Sequence, residues 1–157
     1  MSIMRIRNMF LLIIGMMVVF LLACSEYNTE QSNIEKPVGT NVVESEQIIS
    51  EGKVLYVANC ASCHGVNLQG NPNWRSGTDK DGQSLPPPLN GTGHTWHHSP
   101  KVLHEIVKYG LKIYDENYEG KMVGNENLTD EEIYSILEYI KSVWPEEIRT
   151  DYTKNYK

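Results

Sequence analysis

The chain has 157 residues and a formal net charge of −6, with 14 Lys and Arg against 20 Asp and Glu. That balance excludes nucleic acid as a partner, since phosphates demand a basic face. The length suits one domain, yet the first stretch is too apolar to belong to it.

Residues 9–22, MFLLIIGMMVVFLL, carry no charge, and Arg5 and Arg7 precede them. An apolar run this short, with basic residues only on its N-terminal side, reads as a signal peptide over residues 1–23 rather than a membrane-spanning helix. Leu21-Leu22-Ala23-Cys24 resembles the bacterial lipobox, in which the Cys becomes the lipidated first residue of the mature chain. Cys24 is therefore the expected lipid attachment site, holding the domain at the extracytoplasmic face of a bacterial membrane. An ordinary signal peptide or an uncleaved anchor would also place the domain outside the cytoplasm. Loss of Arg5 and Arg7, the only charges before Cys24, takes the net charge from −6 to −8. Residues 24–44 are polar and lack helical periodicity, which predicts a flexible tether.

The folded domain is expected over residues 45–145. Ile48, Gly52, Leu55, Tyr56 and Asn59 fall on one stripe and predict a helix from about Glu46 to Asn59. Gly52 costs helix stability there unless another backbone packs tightly against it. Cys60-Ala61-Ser62-Cys63-His64 follows, the C-x-x-C-H sequence of c-type haem attachment. Two thiols at this spacing can add to the two vinyl groups on one porphyrin edge. The adjacent imidazole then lies under the ring, where it can ligate iron. A redox dithiol needs a strand before C-x-x-C, and here a helix precedes it. Structural zinc needs further thiolates or suitably spaced His, and the third Cys is Cys24.

Residues 65–98 are rich in Gly and Pro, including Pro86-Pro87-Pro88, and predict a long loop. A second helix starts with Ser99 as N-cap and Pro100 at its first position, has Val102, Leu103, Ile106 and Val107 as its apolar face, and ends at Gly110. After a loop over residues 111–127, Thr129 and Glu132 form a capping box, with Leu128 and Ile133 as hydrophobic staple. Ile133, Ile136, Leu137 and Ile140 line one face of this last helix, and Pro145 stops it after Trp144. Residues 146–157 read as a polar tail. No strand of useful length is predicted, so the fold class is all-α, with three to five short helices around one covalently bound haem.

A haem iron held by His64 needs an opposite ligand or an open site. Met122 is the only methionine after Cys24, and it lies between Gly120 and Gly124 rather than on an apolar stripe. It is the expected sixth ligand, in keeping with Met/His ligation. His94, His97, His98 and His104 are the competing donors. The cluster Gly93-His94-Thr95-Trp96-His97-His98 could supply a distal ligand, a second metal site or a lining near a propionate, or could serve loop packing alone.

Taken together, residues 47–145 resemble the small bacterial monohaem cytochromes c of class I. The resemblance rests on Gly52-Lys53-x-Leu55-Tyr56, Cys60-Ala61-x-Cys63-His64-Gly65, Pro87-x-Leu89-x-Gly91, Leu128-Thr129-Asp130-Glu131-Glu132-Ile133, Tyr139-Ile140-Lys141-Ser142 and Trp144-Pro145. It implies that the first and last helices cross at Gly52, with Tyr56, Ile136 and Tyr139 around the crossing. It also implies that the Pro87 carbonyl accepts a hydrogen bond from the His64 ring, and that Asn73, Trp74 and Arg75 cover the haem edge or a propionate. Val123 departs from the proline that follows the ligand Met in such proteins, and the stretch from Met122 to Leu128 is one residue short. The implied function is one-electron transfer, without catalysis, between redox proteins of the membrane or extracytoplasmic space, and the net charge of −8 after loss of Arg5 and Arg7 suggests that those partners carry basic docking patches. The alternatives are a haem enzyme or sensor with a labile sixth site, or a cytochrome with an added metal at the His cluster.

Overall fold

A 22-residue helix, α1 (Val38–Asn59), begins the computed structural model, which describes residues 38–156. The signal peptide, Cys24 and the tether as far as residue 37 lie outside the described residues. The helix starts two turns earlier than the apolar stripe predicts. Residues 42–47 are exposed and have no core face to announce them, and local bonds carry the helix instead. Ser45 Oγ donates to the Val42 carbonyl, and Gln47 reaches Glu51 one turn on. The predicted tether is thus helical in its last part.

After α1 the chain makes a single helical turn, α2 (Ala61–His64), then a long loop with a short 3-10 turn at Thr95–His97. α3 (Pro100–Tyr109), a second 3-10 turn (Leu111–Ile113), α4 (Asp130–Ser142) and α5 (Glu146–Asn155) complete the order. There is no strand among the described residues, only an isolated bridge between Thr78 and Ser84, so the all-α class holds. No helix among them is long and apolar enough to cross a membrane.

α3 and α4 start where their caps require. Ser99 accepts from the Val102 amide with Pro100 in the first turn, and Thr129 and Glu132 make both bonds of the capping box. α4 then crosses α1 at Gly52. A Cβ on Gly52 would lie 1.8 Å from the Ser135 carbonyl oxygen and 3.0 Å from Tyr139 Cβ, so only glycine admits this approach. Tyr56, Ile133 and Ile136 are fully buried around the crossing, and the Tyr56 and Tyr139 rings meet at 5.5 Å.

The polar tail expected over residues 146–157 is instead helical over Glu146–Asn155. α5 carries Tyr152, which is buried edge-on against Trp144 with ring centroids 5.1 Å apart. Tyr156 extends this packing, and its hydroxyl donates to the His97 carbonyl at 2.8 Å. The predicted stop at Pro145 is real, but Pro145 also serves as N-cap of the next helix.

Candidate functional site

The end of α1 delivers Cys60 into the turn of α2. The Cys60 amide donates to the Tyr56 carbonyl, and the His64 and Gly65 amides donate to the carbonyls of Cys60 and Ala61 at 3.0 and 2.9 Å. Helical winding puts Cys60 and Cys63, three residues apart, on one side of the turn. Cys60 packs against the core, while Cys63 is exposed. Burial, and then the neighbouring Cys63, push the Cys60 thiol up to about 11. Gly65, at φ +81°, turns the chain out of the helix, and the buried Tyr56 hydroxyl donates to its carbonyl at 2.7 Å.

The loop then doubles back and clamps the proline segment. Leu89 donates to the Leu68 carbonyl at 2.8 Å, Asn71 to Pro86 at 2.9 Å, and Gly70 to His64 at 2.8 Å. Buried Leu68 adopts φ +57°, a conformation that non-glycine residues seldom take, and it does so inside this clamp. Gly70 faces the Pro87–Pro88 peptide so closely that a Cβ would lie 2.4 Å from it. From the opposite end of the chain, Trp144 Nε1 donates to the Leu89 carbonyl at 2.8 Å. The clamp aims the Pro87 carbonyl at His64, whose Nδ1–H donates to it at 2.9 Å. That bond sets the tautomer and leaves Nε2 with a free lone pair. Burial drives the His64 imidazole below its ordinary range against the opposing pull of the Pro87 carbonyl, which favours the neutral, ligating form.

Residues 49–144 match the family model of cytochrome c. The chain belongs to the cytochrome c family. Among its relatives is cytochrome c-555 of Prosthecochloris aestuarii, 26% identical over 99 residues that cover 59% of this chain and 84% of the relative. No solved structure matches significantly.

Cytochromes c are haem-binding electron carriers, and their cofactor is a covalently attached haem c. The residues present fit that group. Two thiols three residues apart lie at one helical turn, the imidazole beside them has Nδ1 engaged by Pro87 and Nε2 left open, and the donor set is one that haem chemistry uses. Among the described residues Trp96 Nε1 is the buried side-chain polar atom without a partner, a donor to which a bound group could bring an acceptor.

Met122 lies half-buried in a loop held to the end of α3. The Leu111 amide donates to its carbonyl at 3.0 Å, and its own amide donates to the Tyr118 hydroxyl at 3.1 Å. Gly110 and Gly124 meet backbone to backbone, a Cβ on Gly124 falling 2.4 Å from the Gly110 nitrogen. Asn125 Nδ2 donates to Asn59 Oδ1 at 3.1 Å, which joins the Met122 loop to the residue before Cys60.

His94, His97 and His98 make ring contacts, and His104 pairs with a carboxylate. His94 stacks on Trp74 at 5.2 Å and meets His98 edge-on at 5.4 Å, while His97 lies against Trp96 at 3.7 Å. The Arg75 guanidinium lies over the Trp74 ring, 5.0 Å from its centroid. Asn73 donates its amide to Asn71 Oδ1, within the turn that presents Trp74. His104 Nε2 lies 3.2 Å from Asp130 Oδ1 and links α3 to the start of α4. Among the described residues no three His, Cys, Asp or Glu side chains form a metal-binding group. Tyr118, Gly70 and Leu68 are the site-shaping residues that the sequence did not single out. Gly70 was visible as loop punctuation, but nothing local named its partner.

Proposed function

We propose that this cytochrome c is tethered to the extracytoplasmic face of a bacterial membrane through a lipid on Cys24, and carries single electrons through a haem ligated by His64 and Met122. The observation that carries the reading is the His64–Pro87 hydrogen bond beside the two thiols, which leaves one imidazole nitrogen to face iron. Haem c, when bound, supplies the one-electron couple. Cys60 and Cys63 fix its edge, the Pro87 carbonyl makes the imidazole more basic, and the Met122 thioether favours the ferrous state. With both His64 and Met122 holding the iron, no position would be left for a substrate, which would separate a carrier from an enzyme or sensor. The acidic chain suits redox partners with basic docking patches, and association with them weakens with salt.

Absorption spectra of the purified holoprotein test the ligation. A far-red sulfur-to-ferric-iron band should be present, lost in Met122→Ala, and retained in His94→Ala and His97→Ala. Rapid carbon monoxide binding to the untreated ferrous protein would instead support the labile-site alternative. In cells, Cys24→Ser should move the holoprotein from the membrane to the soluble fraction, and retention at the membrane would remove the lipid anchor from the reading.

A further inference from the structure

The segment carrying Met122 combines backbone freedom with side-chain restraint. Gly120 and Gly124 flank it, Gly124 at φ +82°, and Val123 at its tip is 74% exposed. Apolar burial does not hold this tip in place. Tyr118 does part of that work by folding back over Gly120, where a Cβ would lie 2.3 Å from the phenol oxygen. Only that close approach lets the hydroxyl accept the Met122 amide at 3.1 Å. On the other side, Lys121 pairs with Asp79 and lies 3.6 Å from Asp81. Asp79 is itself fixed, since its Oδ1 accepts from the amides of Asp81 and Gln83 at 2.9 and 3.0 Å in the turn closed by the Thr78–Ser84 bridge. Lys121 is therefore tied to a rigid turn 42 residues earlier in the chain.

We propose that Tyr118 and Asp79 are positioning residues for Met122, restraining its peptide from one side and its preceding residue from the other so that the thioether stays on iron. This rests on the reading of Met122 as the sixth ligand. A long unbranched side chain on a glycine-flanked loop has many arrangements away from the metal, and each tie removes some of them. The two ties differ in kind: one is a hydrogen bond to a peptide, the other an exposed ion pair that salt screens.

The test uses the ferric holoprotein titrated with imidazole as competing ligand, followed through the far-red sulfur-to-iron band. Tyr118→Phe removes only the hydroxyl and should raise the apparent imidazole affinity about fivefold. Asp79→Asn and Lys121→Gln should each raise it by the same smaller factor, abolished at high salt, and their combination should add nothing. Lys101→Gln, which breaks an exposed pair with Glu105 on α3, should leave it at the wild-type value. Wild-type imidazole affinity in both Tyr118→Phe and Asp79→Asn overturns the proposal, whether or not their thermal midpoints fall. Absence of the band from the wild-type protein removes Met122 as the ligand, and the positioning role with it.

Discussion

At His64 the chemistry is settled by one carbonyl. Burial lowers the imidazole's affinity for a second proton, and the Pro87 oxygen decides which nitrogen carries the first. Asp79 shows the opposite behaviour, a carboxyl held ionised. The Lys121 ammonium first, then the Gln83 amide, bring it from 3.8 down to about 2, with Lys121 and Asp81 as the charged groups around it. Because the folded value is the lower one, this contribution to stability is complete above 3.8 and fades as pH falls from there toward about 2. The gap in denaturation midpoint between wild type and Asp79→Asn should therefore be constant above 3.8 and shrink below it. A gap that widens on acidification would contradict the assignment. Cys60, Cys63 and His64 were legible in the sequence because attachment chemistry fixes their spacing and residue types, whereas Pro87 was pointed to by the family resemblance alone. Tyr118 was not, since a phenol four residues before Met122 says nothing until Gly120 lets the chain fold back beneath it.

Among the elements, the crossing of α1 and α4 does most to locate the site, because α1 runs directly into Cys60. Gly52→Ala would drive a methyl into the Ser135 carbonyl, a backbone atom that cannot rotate away. We expect a loss of about 3 kcal/mol, the upper end of overpacking costs, read from denaturant unfolding of the holoprotein. A loss below about 0.5 kcal/mol would mean that the helices separate without penalty. α3 and α4 were readable residue by residue, because caps and apolar stripes are local signals. α5 escaped because Tyr152 and Ile148 are its inward-facing apolar residues among Glu, Arg, Asp, Thr and Lys, and they acquire a partner only once Trp144 is in place. Residues 42–47 of α1 escaped for the related reason that they are exposed.

For the molecule as a whole, a net charge of −6 is a statement about encounters rather than about fold. Electron exchange of the holoprotein with a cationic one-electron reagent should slow as ionic strength rises, and exchange with an anionic reagent of equal driving force should quicken. Stopped-flow rates with the reverse dependence would place the point of electron exchange in a local basic field instead. The charge and the all-α class were both readable at the outset, whereas the closure of the chain's end onto the loop through Trp144 and Tyr156 depends on contacts across more than fifty residues. The clamp on the proline segment carries one more consequence. What His64 meets is a main-chain oxygen, which every amino acid possesses, while Gly70 and Gly93 lie so near the same prolines that a methyl on either would collide with their backbone. The residue that makes the contact is thus more replaceable than the two that make room for it.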